Sequence, residues 1–116
     1  MNTTARNWIT ERASPPGTLA CGLRGPDGEV FCRSIEEICP ETTMQRLLGQ
    51  FDSLRATIFA DPLAPRWCTW AFEQGQIRFV PRTDGWLLGL VIRAESDAQP
   101  RLDPLSTEFL ALDLGA

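Results

Sequence analysis

The sequence predicts an α+β fold, in which a five-stranded antiparallel sheet carries helices on both faces in the order α-β-β-α-β-β-β-α. Three observations lead to this prediction. Segment 41–59 has the apolar spacing of a long amphipathic helix, tight-turn signals separate several strand-like segments, and the run WLLGLVI at 86–92 is apolar without interruption. A strand without polar alternation is buried on both faces, so we expect this run at the centre of the sheet, with the long helix on one face and the two terminal helices on the other.

The first third of the chain predicts one helix followed by a hairpin. Apolar residues recur on one face of segment 3–13, and the run SPPG at 14–17 ends this predicted helix because proline cannot continue it. Strands are predicted at 18–24 and 29–33. The turn between them, at 25–28, ends in Asp-Gly, which is typical of a tight hairpin.

A long helix is predicted from about residue 41 to Phe59. Its apolar residues recur mostly at spacings of three or four, which places them along one side of the helix. They are Met44, Leu47, Leu48, Phe51, Leu54 and Ile58. Before the helix, the run SIEE at 34–37 fits a capping box, and Pro40 either opens the helix at its first turn or separates it from a short turn.

Three strands and a short helix complete the chain. The strand at 66–73 is rich in aromatic residues, the strand at 76–82 alternates apolar and charged residues, and the apolar run at 86–92 follows. Turns that contain Gln-Gly or Asp-Gly join these strands. Asp103 is predicted as the N-cap of a final helix at 104–114, because the proline after it suits the first helical position.

The composition excludes several classes of function. The 116 residues suffice for one domain, 1–116, and they carry a net charge of −4 without a cluster of arginines, so we expect no nucleic-acid partner. Histidine, lysine and tyrosine are absent. Their absence removes the commonest general base, the commonest metal ligand, and the lysines of Schiff bases and phosphate loops. Glu36 and Glu37 are adjacent helical residues that diverge by roughly 100°, so they form no converging acid–base pair. We therefore expect a non-enzymatic protein without catalytic residues or a cofactor.

The four cysteines are Cys21, Cys32, Cys39 and Cys68. In a reducing compartment they are best interpreted as small buried apolar side chains. No C-x-x-C pair occurs and no histidine could complete a mixed ligand set, so we expect no metal site. Cys21 and Cys32 would face each other across the hairpin if its loop had four residues, but a reducing compartment disfavours a disulfide there.

The N-terminal ten residues are polar and lack the apolar run of a signal peptide, and no segment approaches the roughly 18 apolar residues of a membrane span. We therefore expect a cytoplasmic protein without membrane insertion. Arginine is the only basic residue, which indicates a GC-rich and hence bacterial genome.

The element order resembles that of roadblock/LC7 domains, a branch of the profilin-like α+β folds. The stretch PGTLACGLRGPDGEVF at 16–31 is similar to the first hairpin of that family, and CTWAFEQGQIRFVPRTDGWLLGLVIRAE at 68–95 is similar to its three-strand meander. The resemblance covers about residues 3–114 and rests on turn chemistry and apolar patterning. The first helix is shorter than in many members. The resemblance implies the sheet order second, first, fifth, fourth, third, with the apolar run again at the centre.

The resemblance also implies a homodimer, in which the third strand pairs with its own copy and the long helices pack together across a two-fold axis. The residues that we expect at this interface are Leu47, Phe51, Leu54, Trp67, Thr69 and Trp70. The alternative for the helical residues is the ordinary core. The alternative for the tryptophans, which are three residues apart, is packing under a helix on opposite faces of the sheet. Arg66 and Arg78 are predicted at the rim of this interface.

The function that the resemblance implies is a scaffold or regulator of a small Ras-like GTPase, or an adaptor in a larger assembly. A ligand-sensing domain is the alternative, because profilin-like and PAS-like folds can enclose a small molecule beneath the sheet. A small enzyme is disfavoured, because histidine, lysine and tyrosine are missing.

Overall fold

One antiparallel sheet and three α-helices form the part of the chain that a computed structural model describes, which comprises residues 2–12, 17–34, 39–58, 66–73, 75–94 and 99–114. The elements are α1 (Thr3–Arg12), β1 (Thr18–Arg24), β2 (Val30–Ser34), α2 (Glu41–Ile58), β3 (Cys68–Phe72), β4 (Gly75–Pro81), β5 (Leu87–Arg93), a 3-10 turn (Gln99–Arg101) and α3 (Leu102–Ala111). The predicted order of elements is confirmed, and the predicted bounds agree with these to within three residues. The predicted capping box, the SPPG stop and the Gln-Gly turn fall partly outside the described residues.

The five strands follow the order β2-β1-β5-β4-β3, and every neighbouring pair is antiparallel. This order is the one that the resemblance implies. Strand β5 is central, as predicted, and its residues 87–92 are all buried. Gly28 and Gly85 close the turns before β2 and β5 with φ angles of 87° and 97°, a conformation that a side chain would strain.

Helices cover both faces of the sheet, also as predicted. The core on one face joins the sheet to α1 and α3, and the core on the other face joins it to α2. Strand β5 feeds both layers, because Leu88, Leu90 and Ile92 enter the first and Leu87 and Val91 enter the second. This alternation explains why no polar residue interrupts the strand.

A pair of glycines brings α2 close to the sheet. Gly22 of β1 and Gly89 of β5 lie directly opposite each other. A Cβ atom at Gly89 would lie 2.5 Å from Met44 Cε, and one at Gly22 would lie 2.8 Å from Leu48 Cδ1. The two helical side chains are fully buried, so the absence of side chains at the two glycines allows α2 to pack closely against the sheet. The helix begins directly after Pro40, whose carbonyl accepts a hydrogen bond from the Met44 N–H at 3.1 Å.

The start of α3 differs from the prediction. Asp103 was expected as the N-cap, but the cap residue is Arg101, and the helix continues a 3-10 turn from Leu102 onward. Asp103 lies in the first helical turn, and its carboxylate accepts a hydrogen bond from Arg78 instead of capping the helix. Pro104 lies in the same turn, where its missing N–H costs no intrahelical hydrogen bond.

The first hairpin excludes the disulfide between Cys21 and Cys32. Its loop has five residues, 25–29, so the register moves by one position relative to a four-residue loop. Cys32 consequently lies opposite Gly22 and packs beneath α2, whereas Cys21 packs on the side of α1 and α3. Side chains on opposite faces of a sheet cannot reach disulfide geometry.

Candidate interaction surface

Strand β3 is an edge of the sheet, and among the described strands it pairs only with β4. The alternation of ladder hydrogen bonds fixes which of its backbone groups face outward. The Arg82 N–H donates to the Trp86 carbonyl at 2.8 Å. In an antiparallel ladder the direction of the backbone groups alternates, so residues 80, 78 and 76 of β4 also bond to β5, and residues 79, 77 and 75 bond to β3. Residues 68, 70 and 72 are opposite the latter three residues. The backbone N–H and C=O groups of Thr69 and Ala71 therefore point outward from the edge, in the plane of the sheet and away from β4.

An apolar surface lies on the α2 side of this edge. The Trp70 ring contacts Phe51 and Phe79 edge-on, with centroid distances of 6.0 and 5.9 Å, and those two rings stack at 4.5 Å. Trp70 nevertheless remains 47% exposed, and Phe72, two residues further on the same side of the strand, is 44% exposed. Neighbouring exposed aromatic side chains mark a binding surface more often than single exposed residues do.

The position of α2 explains this exposure. The helix packs mainly over β1, β2 and β5, away from β3. On its β3 side it places Phe51, which is buried, and Leu54, one turn later, which is 56% exposed. Leu54, Trp70 and Phe72, with Phe51 at their base, are called the β3 surface below.

On the opposite face of the sheet, a buried arginine fixes β3 to α3. Arg78 of β4 is only 8% exposed. Its Nε donates to Thr69 Oγ1 at 2.9 Å, and its Nη1 donates to the Asp103 carboxylate at 2.6 Å and to Ser106 Oγ at 3.2 Å. The guanidinium also lies 4.9 Å from the centre of the Trp67 ring, a favourable cation–π distance. These contacts compensate for the burial of the charge.

The six residues predicted at an interface lie on both faces of the sheet. The α2 side carries Leu47, Phe51, Leu54 and Trp70, and the α3 side carries Trp67 and Thr69. Leu47 and Trp67 are half-buried against the core, and Thr69 is exposed. The two tryptophans thus occupy opposite faces. Arg66 is exposed two residues before the strand, but the prediction of Arg78 at the rim was wrong, because its hydrogen bonds hold it inward.

One residue of this region, Phe72, was missed from the sequence, and one, Arg78, was given the wrong role. Phe72 could have been found, because a period of two places it on the same side as Trp70. No sequence signal distinguished Arg78, since an arginine in an alternating strand normally faces water.

The other edge, β2, is covered. Val30 and Cys32 pack beneath α2, and Arg33 places a charge on the exposed side. On the opposite face, the Arg6 guanidinium lies 4.9 Å from the centre of the Phe31 ring. All described residues of β2 except Arg33 are at least half-buried.

Two of the four thiols, those of Cys32 and Cys68, are poorly suited to nucleophilic catalysis. Burial, followed by the charge of Glu41 and the neighbouring thiols of Cys21 and Cys39, raises the pKa of Cys32 to about 12. Burial also raises the pKa of Cys68. A nucleophilic cysteine requires the thiolate, and these two remain protonated at neutral pH.

The carboxylates with shifted pKa values stay ionised. A hydrogen bond from Arg12, then one from Trp8, lowers the pKa of Glu108, and the two donors lie 3.0 and 2.8 Å from its oxygens. Burial alone would raise the pKa of Asp84, but hydrogen bonds from Arg82 and from the Trp86 N–H outweigh it and lower that pKa. A general acid at neutral pH needs the opposite shift, so these carboxylates act as structural partners.

The described residues contain no group of three or more histidine, cysteine, aspartate or glutamate side chains that could hold a metal ion. Glu36 and Glu37 lie outside them. Within the same part of the chain, no helix is long and apolar enough to cross a membrane.

The fold is shared with known structures. No family model matches the sequence, and no curated protein matches it significantly. The chain is similar to a Roadblock/LC7 domain from Streptomyces avermitilis, with 19% identity and a TM-score of 0.57, over 96% of this chain and 88% of that one. It is also similar to MglB of Myxococcus xanthus, with 10% identity and a TM-score of 0.55, over 81% of each chain. The chain therefore has the roadblock/LC7 fold that its sequence resembles.

Proposed function

We propose that this chain is a non-enzymatic interaction module that forms a homodimer through the β3 surface and regulates, or acts as a scaffold for, a small Ras-like GTPase. The observation that carries the proposal is the exposed apolar strip of Leu54, Trp70 and Phe72 beside an edge strand whose Thr69 and Ala71 backbone groups face outward.

Self-association accounts for both halves of that observation. An edge strand with outward N–H and C=O groups is a template for a further strand, and natural proteins normally protect it with charges or cover it. The described residues of β3 include no charged side chain, and two of its aromatic rings are about half exposed. A second copy would satisfy the backbone groups and remove the rings from water, where tryptophan is a favoured anchor of interfaces.

The GTPase part of the proposal rests on the resemblance. That resemblance implies a platform for a small Ras-like GTPase, and the chain is similar in fold to a Roadblock/LC7 domain and to MglB. Self-pairing of β3 would place two copies of α2 on the same side of one continuous sheet, which offers a broad surface for a second protein.

The non-enzymatic part rests on the missing chemistry. The chain contains no histidine, lysine or tyrosine. The pKa shifts of Cys32, Cys68, Glu108 and Asp84 all favour the form of the side chain that is least useful for nucleophilic or acid catalysis at neutral pH.

The homodimer is tested by solution mass from light scattering after size exclusion, at about 10 µM and again after tenfold dilution. We expect twice 12.9 kDa at the higher concentration. A monomer at both concentrations would contradict the homodimer.

The GTPase partner is tested by titrating the chain with a small Ras-like GTPase from the same genome, loaded with GDP or with a non-hydrolysable GTP analogue. We expect binding that differs between the two nucleotide states and that weakens in a Trp70→Arg variant, because the platform requires the dimer. Equal affinity for both states, or no binding, would contradict the regulatory role and leave the homodimer to be judged by its own test.

A further inference from the structure

We infer that two copies pair through β3 in one specific register, with the two-fold axis at Trp70, so that Trp70 contacts its own copy and Cys68 lies opposite the partner's Phe72. The inference rests on the proposed homodimer and specifies how its two edges meet.

Symmetry and strand overlap together limit the possible registers to three. Two edges that pair in an antiparallel way about an axis perpendicular to the sheet keep each face on the same side in both copies, and residues directly opposite each other point to the same side. Trp70 lies on the α2 side by its ring contacts, and Thr69 lies on the α3 side by its bond to Arg78. Only residues of the same side can therefore be opposite. This rule places the axis at one of the five residues of β3. An axis at Cys68 or Phe72 would leave a single residue of each strand overlapping, so the axis lies at Thr69, Trp70 or Ala71.

Backbone hydrogen bonding favours the middle position. Thr69 and Ala71 carry the outward N–H and C=O groups, as the ladder between β4 and β5 requires. With the axis at Trp70, Thr69 of each copy pairs with Ala71 of the other, which gives four hydrogen bonds within the strands. With the axis at Thr69 or Ala71, only that residue pairs with its own copy within the strands, which gives two. All five residues of β3 overlap in the first register only.

The side chains on the α2 face fit the same register. Trp70 would meet its copy at a non-hydrogen-bonded position, where Cβ atoms approach to roughly 4.5–5.5 Å and aromatic pairs are favourable. The exposed ring of Phe72 would lie against the partner's Cys68, a half-buried free thiol that offers a favourable sulfur–aromatic contact. Both exposed aromatic residues of the strand are covered in this arrangement.

Charge on the α3 face is also complementary. In this register the exposed Glu73 lies opposite the partner's Trp67. The guanidinium of the exposed Arg66 lies 5.6 Å from the centre of the Trp67 ring. The carboxylate of one copy thus approaches the Arg66 cation of the other, which favours this alignment of the edges.

Disulfide trapping tests the register with the native thiol of Cys68 as one partner. A Phe72→Cys variant is oxidised with copper phenanthroline and separated on a non-reducing gel. We expect a covalent dimer, because opposite residues at non-hydrogen-bonded positions have Cβ atoms close enough for a disulfide. The same variant with Cys68→Ser added is the matched control and should remain monomeric on the gel.

A second set of variants distinguishes the three registers in a Cys68→Ser background. We expect Trp70→Cys to form a disulfide with its own copy, and Thr69→Cys and Ala71→Cys to remain uncrosslinked. Preferential crosslinking of either of the latter two would overturn the register. A wild-type chain that is dimeric by light scattering but not trapped by Phe72→Cys would also overturn it while leaving the homodimer intact. A wild-type monomer would instead contradict the proposed function itself.

Discussion

The two edges of the sheet have five residues each, β2 at Val30–Ser34 and β3 at Cys68–Phe72, and they meet solvent in opposite ways. Helix α2 lies over β2 and leaves β3 largely bare on that face. Strand β2 carries the exposed charge of Arg33, whereas β3 exposes Trp70 and Phe72. The covered edge has the features that prevent strand addition, and the bare edge lacks them.

This difference is the basis on which we propose β3 as the interaction edge. The glycine pair in β1 and β5 seats α2 over one half of the sheet, and that displacement uncovers the other half. On the α3 face, Arg78 ties β3 to the rest of the domain through Thr69. The bare edge is therefore held in place from one side and open on the other, which is the arrangement that a binding strand needs.

The largest effect is expected from Trp70→Arg, which places a charge at the centre of the β3 surface. Removal of a central aromatic anchor and burial of an unpaired charge should weaken self-association at least about 100-fold. The dissociation constant from sedimentation equilibrium measures the effect, with circular dichroism to confirm folding. Arg33→Glu on β2 is the matched control and should leave the constant within about threefold of wild type. Equal losses of dimer affinity in Trp70→Arg and Arg33→Glu would show that the two edges do not differ in self-association.

The next largest effect concerns the half of the sheet that α2 covers. Gly89→Val should lower the free energy of unfolding by about 2–3 kcal/mol, because its side chain must displace Met44 and Leu48 from their packed positions. Urea denaturation measures the loss. Gly49→Ala is the control and lies in α2, the helix that carries Met44 and Leu48. The closest atom to its new Cβ is Arg24 Nη1 at 3.9 Å, so the variant should be neutral or stabilising by up to about 1 kcal/mol. A Gly89→Val variant as stable as wild type would contradict the close packing of α2 against Gly89.

A smaller effect is expected from Arg78→Met, which removes the hydrogen bonds to Thr69, Asp103 and Ser106. The loss should be about 1–2 kcal/mol in urea denaturation, because Asp103 remains accessible to water once the arginine is gone. Hydrogen exchange should accelerate in β3 more than in β1. Arg93→Met, at an exposed position, is the control. Uniform acceleration across the sheet would show that Arg78 does not act on the edge in particular.

The last effect, which is absent at neutral pH, is a pH dependence at the covered edge. The pKa of Cys32 is about 12 in the folded chain, against an ordinary value of 9.0. Below pH 9 the thiol is protonated in both the folded and the unfolded chain, so its contribution to the free energy of unfolding is fully present there. As the pH rises from 9 towards 12 the unfolded chain loses the proton first, and stability falls by at most about 1.4 kcal/mol per pH unit. A Cys32→Ala variant should lose less stability between pH 8.5 and 10.5. Identical slopes for both chains would contradict the burial of this thiol.

Periodicity and turn chemistry were sufficient to predict the element order, the central position of β5 and the separation of the two core layers. These features depend on local spacing and on burial, which the apolar runs record directly. The five-residue loop at 25–29 was not predicted, and this single extra residue decided that Cys21 and Cys32 lie on opposite faces. The prediction of Asp103 as the N-cap was wrong, because its carboxylate pairs with Arg78, a residue distant in sequence.

The candidate site was predicted in part. The strand and helix that form it follow from the resemblance, but the exposure of Leu54, Trp70 and Phe72 depends on where α2 lies over the sheet. That position is set by side-chain contacts at Gly22 and Gly89, between residues far apart in sequence. No local pattern of apolar residues carries that information.

Hydrogen exchange at the two edges tests the central claim most directly. The amides of Thr69 and Ala71 should exchange slowly at high protein concentration and faster after dilution, because a second copy covers them only in the dimer. The amides of β2 should show no such dependence. Protection that changes with concentration at β2, or that stays constant at Thr69 and Ala71 while the mass changes from dimer to monomer, would contradict the assignment of β3 as the interaction edge.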